Sequence, residues 1–266
     1  MSEFKIINTE IANLYKNHNF KSEVISQGLI WENVKILDDY DNWNKICQWD
    51  GYISYIHKGF LINPKVYIDY SLTNDNKWYR VNDRIVKIKE VESYDCKLLS
   101  FGSIIPVIDK SNNSFITIMP DGKKYYISEK FLINYTCNNS FKDIVQYALE
   151  NLGSPYFWGG KSGFGYDCSG FIQSLYRFKK IDLPRDTKDQ IKSDSLKKVS
   201  SDYKPGDLIY FHKDNIVNHV GMFIDCNEYI HSSGYVKINS INKNHNSFDK
   251  TLYDNILGVY RLKNVS

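Results

Sequence analysis

Cysteine, proline and long apolar runs are all scarce in this chain. Its 266 residues include only 5 cysteines, 6 prolines and 3 methionines. An odd number of widely spaced cysteines predicts no disulfide framework and favours a reducing compartment. No apolar run reaches the roughly 18 residues of a membrane-spanning helix, and no apolar signal segment follows Met1. We therefore expect a cytoplasmic protein without a membrane span, with a periplasmic or secreted location as the alternative if a signal peptide has been removed.

Excess charge of either sign is also lacking. Lysine and arginine number 34 against 31 aspartates and glutamates, so the formal net charge is +3. Such a small basic excess argues against nucleic acid as a partner. Near the histidines described below, no third ligand stands at a spacing typical of metal sites, so we expect no metal ion and no cofactor. The length allows two or three domains and leaves the oligomeric state open.

The most informative segment that is present runs Gly165-Tyr166-Asp167-Cys168-Ser169-Gly170-Phe171. Gly159, Gly160, Gly163 and Gly165 predict a loop before the cysteine. Asp167 is a good N-cap residue, and apolar residues then recur at helical spacing. The segment therefore predicts a helix that begins at Cys168. Because a helix N-terminus favours a thiolate, we expect a lowered pKa for this thiol. We expect the remaining cysteines to be buried or half-buried filling residues: Cys47, Cys96, Cys137 and Cys226.

Two histidines follow in strand-like segments. A short connection joins the segments of His219 and His231, which predicts antiparallel strands with the two rings side by side. A catalytic thiol needs a base, and the base needs a polar group that orients it. We therefore predict Cys168 as the nucleophile, His219 as the base and His231 as the orienting residue. His212 is the nearest competitor for the base, and we expect it on the surface.

These segments resemble the NlpC-type cell-wall cysteine peptidases, a branch of the papain-like fold. The similarity covers about residues 141–262 and includes five motifs in the family's order: Trp158-Gly159-Gly160, Asp167 to Phe171, Pro205-Gly206-Asp207-Leu208, His219-Val220-Gly221 and His231. The resemblance implies the same three catalytic residues. It also implies that Arg185, in a Leu-Pro-Arg loop, lies near the cleft. There Arg185 would attract a substrate carboxylate, or it would be an ordinary surface arginine.

The N-terminal half contains an internal repeat. Residues 50–63 match residues 121–134 at an offset of 71 residues, with 8 of 14 positions identical. Repeated short strands with turn residues between them predict two small β-barrels in tandem, and their pattern resembles bacterial SH3-like domains. The sequence thus predicts an α+β protein with two N-terminal SH3-like β-barrels, at 1–68 and 69–138. A papain-like, NlpC-type α+β catalytic domain would follow at 139–266, with a first helix from Phe141 to Leu152.

This domain order resembles one subgroup, the γ-D-glutamyl-L-diamino acid endopeptidases that act on muropeptides with a free N-terminal L-Ala. The resemblance implies a site for that amine, with residues at matching positions: Asp167, Ser169, Tyr156 and either Tyr52 or Tyr55. Because strand residues alternate between faces, at most one of the two barrel tyrosines can face the cleft, and we favour Tyr52. The implied partners are peptidoglycan-derived peptides, L-Ala-γ-D-Glu-diamino acid, with lysine and diaminopimelate both left open.

Other functions are compatible with the same motifs. One is a secreted peptidoglycan hydrolase that acts on intact cell wall and uses its SH3-like domains as wall-binding modules. Another is an NlpC-type amidase or acyltransferase that acts on a different amide. A non-catalytic wall-binding protein is a further alternative, which the presence of both Cys168 and His219 disfavours.

Overall fold

The computed structural model of the chain describes residues 3–63, 77–138 and 140–263. Contacts divide the chain into two compact units, Met1–Asn138 with Ser162–Phe164, and Asn139–Lys161 with Gly165–Ser266. The first unit is built from antiparallel strands and the second combines helices with a six-stranded sheet, which confirms the predicted fold class. The predicted boundaries at 68/69 and 138/139 involve residues outside the described ranges.

The first barrel is a seven-stranded antiparallel sheet around an apolar core. Its strands are β1 (Phe4–Ile7), β2 (Ile11–Tyr15), β3 (Val24–Leu29), β4 (Asn33–Tyr40), β5 (Trp43–Cys47), β6 (Ile53–His57) and β7 (Leu61–Ile62). They lie in the order β3-β2-β6-β5-β4-β1-β7. Side chains on the inward face alternate with outward ones, and Ile7, Leu14 and Val34 are among the fully buried residues.

The second barrel repeats this architecture. Its strands are β8 (Trp78–Val81), β9 (Ile85–Glu90), β10 (Cys96–Ser100), β11 (Ile104–Ser111), β12 (Ser114–Ile118), β13 (Lys124–Ser128) and β14 (Leu132–Asn134). Their order, β10-β9-β13-β12-β11-β8-β14, is that of the first barrel with each strand replaced by its counterpart. A short 3-10 helix precedes the last strand in both, at Lys58–Phe60 and Glu129–Phe131. The internal repeat therefore corresponds to a repeated fold.

One tryptophan of the first barrel packs against the second and forms a hydrogen bond with it. Trp31 is only 6% exposed and packs into the core of the second barrel with Ile6 and Ile30. Its indole Nε1 donates to the carbonyl oxygen of Ile118 at 3.1 Å. The backbone of Trp31 has a φ of 69°, a left-handed conformation that large residues rarely adopt. The first barrel thus supplies side chains to the core of the second.

The chain from 140 to 263 forms four helices, a six-stranded sheet and a two-stranded sheet. Its elements are α1 (Phe141–Glu150), β15 (Lys161–Ser162), β16 (Gly165–Tyr166), α2 (Cys168–Phe178), α3 (Thr187–Gln190), β17 (Leu196–Val199), β18 (Leu208–Lys213), β19 (Ile216–Phe223), β20 (Glu228–Ser233), β21 (Tyr235–Ser240), α4 (Lys250–Asp254) and β22 (Ile256–Leu262). The sheet order is β17-β22-β18-β19-β20-β21. Helix α2 packs against β19 and β20, so the start of α2 lies beside the histidine-bearing strands.

The helix starts agree with the sequence predictions, whereas one helix end does not. Helix α2 begins at Cys168 and α1 begins at Phe141, as predicted, with Ser140 as the N-cap of α1. Helix α1 ends at Glu150 instead of Leu152. The Asn151 side chain donates to the Tyr147 carbonyl and accepts from the Tyr166 hydroxyl. These bonds hold Asn151 as a C-cap, and the helix ends two residues earlier than predicted.

Neither a membrane-spanning helix nor a disulfide occurs among the described residues. No helix in the described part of the chain is long and apolar enough to span a membrane. All five cysteines are free thiols, but Cys96, Cys137 and Cys226 are exposed and Cys47 is half-buried. The expectation that these cysteines fill the core was therefore wrong for three of them, because they lie at turns and sheet edges where little packs against them.

Candidate active site

The start of α2 holds Cys168 in a tightly packed turn. Asp167 is the N-cap, and its carboxylate accepts from the Gly170 backbone N–H at 2.7 Å. A Cβ atom on Gly170 would lie 2.1 Å from the Gly160 carbonyl oxygen, so only glycine fits where the glycine-rich loop crosses the helix. Cys168 itself is 8% exposed. The local sequence thus places a single thiol at the first helical position.

The second part of the site lies on three neighbouring strands. Atom Nε2 of His219 on β19 lies 2.7 Å from Nδ1 of His231 on β20, which confirms the prediction that the two rings are adjacent. Atom Nε2 of His231 lies 2.7 Å from Oδ1 of Asn239 on β21. His231 is fully buried and Asn239 is 9% exposed. Asn239 was not predicted from the sequence, because only the register of β20 and β21 places it near His231.

Strand β19 also borders the sulfur of Cys168. The Sγ atom lies 3.9 Å from the Asn218 carbonyl oxygen, and the backbone N–H groups of Val220 and Ser169 favour the thiolate. His219 stands between Asn218 and Val220 on this strand. The fold therefore brings together the three residues that the sequence predicts as catalytic, in one region of the second unit.

Burial determines the protonation of these groups. It raises the pKa of the Cys168 thiol to about 12, with the Asp167 charge as a further cause. Burial also lowers the pKa of His219 to about 3 and that of His231 to about 4. The predicted lowering of the cysteine pKa was wrong, because desolvation exceeds the effect of the helix N-terminus. The resting site holds a neutral thiol and two neutral imidazoles at neutral pH.

A buried ion pair lies beside the nucleophile. Arg185 is 2% exposed, and its two terminal nitrogens lie 3.0 and 2.5 Å from the carboxylate oxygens of Asp167. Arg185 also donates to the Ser169 hydroxyl at 2.9 Å, which itself lies 3.2 Å from Asp167. The Gly159 backbone N–H donates to the same carboxylate at 3.0 Å.

This network corrects the predictions for the Leu-Pro-Arg loop. Arg185 is neither a surface residue nor an exposed binder of a substrate carboxylate, because its charge is already paired with Asp167 inside the protein. The polar atoms of Asp167 and Ser169 are likewise engaged with each other and with Arg185. Their assignment as binding residues for a substrate amine stays a prediction, and the charge of Asp167 is balanced before any ligand arrives.

A cleft of about 530 Å³ opens beside His219. Its lining also includes Tyr156, Ser233 and His212. Burial raises the pKa of Tyr156 to about 12, and the nearby Cys168 and Asp167 add to the effect, so its hydroxyl keeps its proton. His212 was predicted on the surface, but it is half-buried in this cleft. Its Nδ1 is buried and has no hydrogen-bond partner among the described residues.

The two barrel tyrosines belong to the first unit. Tyr52 is half-buried in the turn before β6. Tyr55 lies within β6 and belongs to an aromatic cluster, with ring centroids 5.5 Å from Tyr40 and 5.6 Å from His18. The two side chains therefore have different surroundings. Their predicted contact with a substrate amine, with Tyr52 favoured, stays a prediction.

Several known proteins are similar to this chain in sequence or fold. Residues 153–255 match the NlpC/P60 family. The gamma-D-glutamyl-L-lysine dipeptidyl-peptidase of Bacillus subtilis (strain 168) is 33% identical over 147 residues, which are 54% of this chain and 47% of that protein. Dipeptidyl-peptidase 6 of Lysinibacillus sphaericus is 24% identical over 277 residues, 96% of this chain and 97% of that protein. The chain thus spans about half the length of the first relative and nearly all of the second.

A solved structure shows the same fold. An NlpC/P60 family protein from Bacillus cereus ATCC 10987 has a TM-score of 0.85 at 21% identity, and the match covers 97% of this chain and 99% of that one. The segment that matches the family contains Cys168, His219, His231 and Asn239. The segment of this chain that matches the NlpC/P60 family thus has the thiol at the start of α2 and the histidines on adjacent strands.

Proposed function

We propose that the protein is a cysteine endopeptidase of peptidoglycan peptides that hydrolyses the γ-D-glutamyl-L-diamino acid bond. The observation that carries the proposal is the placement of Cys168 at the start of α2, beside the strand that bears His219. The names of the relatives support the substrate class, since one is a gamma-D-glutamyl-L-lysine dipeptidyl-peptidase. A dipeptidyl-peptidase acts near a free N-terminus, which supports the requirement for a free L-Ala amine.

The first chemical step forms a tetrahedral intermediate, from which the acyl-enzyme arises when the amine leaves. The raised pKa of Cys168 and the lowered pKa of His219 keep both groups neutral before substrate binds. As the sulfur attacks the γ-carbonyl carbon of D-glutamate, the thiol proton passes to His219. The backbone N–H of Cys168 is the first of α2, and it has no acceptor within the helix, so it can donate to the oxygen that becomes negative.

The second step completes the hydrolysis. The carbon–nitrogen bond breaks, and His219 delivers its proton to the leaving amine of the diamino acid. Water then attacks the thioester while His219 accepts one of its protons, and Cys168 regains a proton as the carboxylate product forms. Every proton transfer uses the same imidazole, which His231 holds in place through the 2.7 Å contact.

Recognition of the N-terminal amine is the finer part of the proposal. In the cleft, the protonated hydroxyl of Tyr156 offers its oxygen as an acceptor for the ammonium group. A site that binds a cation rejects capped peptides strongly, because its buried acceptors would then stay unpaired. The balanced Asp167–Arg185 pair contributes little net charge to this recognition, so hydroxyl acceptors should carry more of it.

The experiment is cleavage of synthetic L-Ala-γ-D-Glu-L-Lys and its diaminopimelate analogue, each with and without an N-acetyl cap, followed by mass spectrometry. We expect release of L-Ala-γ-D-Glu from the uncapped peptides only. Cys168→Ala should lower kcat/KM by at least about 10³-fold. Cys226→Ala is the matched control, since this thiol of the same unit is exposed, and it should leave the rate unchanged.

Other results would select other functions. Equal cleavage of capped and uncapped peptides would reject the amine requirement and favour a hydrolase of intact cell wall. Activity that survives Cys168→Ala would reject the nucleophile. Failure to cleave any of the four peptides, with the thiol intact, would reject the substrate class and favour an amidase or acyltransferase on another amide.

A further inference from the structure

Asn239 extends the pair of histidines into a row of three side chains. Strand β19 pairs with β20 so that Gly221 faces His231, and β20 pairs with β21 so that His231 faces Lys237. His219 lies two residues before Gly221, and Asn239 lies two residues after Lys237. Residues two apart share a face of the sheet, so each contact in the row is a diagonal one between neighbouring strands.

The orientation of the Asn239 amide follows from its second partner. Its Nδ2 donates to the backbone carbonyl oxygen of Ser247 at 2.5 Å. The other amide atom, Oδ1, therefore faces Nε2 of His231 at 2.7 Å. Reversing the amide would place Oδ1 against the Ser247 carbonyl oxygen, where two acceptors would meet without a proton between them. The Ser247 carbonyl thus fixes which amide atom His231 meets.

The position of each proton in the row is determined by the preceding bond, starting from Asn239. Because Oδ1 of Asn239 only accepts, Nε2 of His231 must carry a hydrogen. A neutral His231 then has a bare Nδ1, which accepts from Nε2 of His219 across 2.7 Å. His219 therefore also carries its hydrogen on Nε2, which leaves its Nδ1 without a proton and able to receive one. A reversed amide would reverse each bond and place a proton on that base nitrogen.

We infer that Asn239 is a positioning residue, which selects the histidine tautomer that leaves Nδ1 of His219 as the base. The inference rests on the proposed function only for what the base does, since the tautomers themselves belong to the resting protein. Asn239 acts through His231 and does not touch the thiol. The bond from His231 to Asn239 also explains how His231, although neutral, can orient the base His219.

The charged groups around the row are few. Lys237 on β21 acts on both histidines and disfavours their protonation, while Asp249, the N-cap of α4, favours protonation of His231. Changes at Asn239 leave both groups in place, so a shift in the titration of His231 can be attributed to the altered amide.

The direct test is nitrogen NMR of the full chain labelled with ¹⁵N-histidine, because the two ring nitrogens report the tautomer without any substrate. In the wild type, we expect His219 and His231 both to show a protonated Nε2 and a bare Nδ1. Asn239→Leu removes the acceptor and should give mixed tautomers at both rings. A wrong tautomer lowers kcat by orders of magnitude in a related triad, so we expect a loss of roughly 10²–10⁴-fold in kcat with a small change in KM.

A second variant separates positioning from mere folding. Asn239→Asp gives up the donor to the Ser247 carbonyl oxygen but keeps an acceptor for Nε2 of His231, so the tautomers should persist while the carboxylate raises the pKa of His231. Protonated His231 donates from Nδ1 and forces the proton of His219 onto its base nitrogen. The acid limb of kcat/KM should therefore move to higher pH by roughly one to three units. Asn242→Leu makes the same substitution as Asn239→Leu, but at an exposed asparagine. As the matched control, it should change neither the tautomers nor the acid limb of kcat/KM.

The outcomes are distinct from those that test the peptidase function. A protonated Nδ1 on His231 in the wild type, or unchanged tautomers in Asn239→Leu, would overturn the inference even if the enzyme cleaves its peptides as proposed. An acid limb that stays in place in Asn239→Asp would overturn it as well. Conversely, the expected tautomers in a protein that cleaves no γ-D-glutamyl peptide would support the inference and reject only the proposed substrate.

Discussion

The buried ion pair between Arg185 and Asp167 allows a quantitative test of the architecture around the nucleophile. The two side chains are 1% and 11% exposed. Replacing Arg185 by methionine would leave the carboxylate buried without its counter-ion, which costs about 3–5 kcal/mol. At about 2–4 °C per kcal/mol for a domain of this general size, the melting temperature should fall by roughly 6–20 °C. The measurement is differential scanning calorimetry of the full chain, in which the melting temperature of the second unit is compared between the variant and the wild type.

Two comparisons make this result specific. Asp167→Asn keeps the helix cap, because asparagine and aspartate cap helices about equally. The double variant, Asp167→Asn with Arg185→Met, removes both charges of the pair. The double variant should lose clearly less stability than the two single losses added together. The control is Lys250→Met, which breaks an exposed i,i+4 pair with Asp254 and should cost at most about 1 kcal/mol. If Arg185→Met costs no more than Lys250→Met, the reasoning about the buried pair is refuted.

Further predictions concern the protonation and packing of the site. Because burial raises the pKa of Cys168 to about 12, its alkylation by iodoacetamide should accelerate continuously up to about pH 10, and a plateau below about pH 7 would contradict this. His219 must be neutral to accept a proton and its pKa is lowered to about 3, so kcat/KM should persist down to about pH 5 and fall only below it; a midpoint near 6.5 would be contrary evidence. His219→Ala should reduce activity by at least about 10³-fold and His212→Ala by no more than about tenfold, and the reverse ranking would make His212 the base. Gly170→Ala forces a Cβ within 2.1 Å of the Gly160 carbonyl oxygen and should destabilise the fold by about 1–3 kcal/mol, visible as a lower melting temperature.

The parts of the site that were predictable from sequence are those set by local chemistry. The N-cap at Asp167 and the helix start at Cys168 depend on residues within one turn. The adjacency of His219 and His231 depends on a short connection between antiparallel strands. Local patterns of capping, periodicity and turn residues carry this information directly.

The parts that were not predictable depend on burial and on contacts distant in sequence. The direction of the Cys168 pKa shift depends on how far the folded chain removes the sulfur from water, which the helix N-terminus alone does not indicate. Arg185 lies 18 residues from Asp167, and its loop composition suits a surface position equally well. Asn239 became a candidate only once the register of β20 and β21 placed it against His231.

The position of Trp31 has a consequence for how this chain can be altered by evolution or by engineering. Two domains of the same fold in tandem suggest interchangeable modules that could be deleted, duplicated or exchanged. Trp31 contradicts that picture, because its indole fills the core of the second barrel and bonds to Ile118. A transplanted second barrel would keep an unfilled gap in its core, and an isolated first barrel would expose an indole to water. The two repeats have therefore become a matched pair, and chimeras should succeed only when both barrels are moved together.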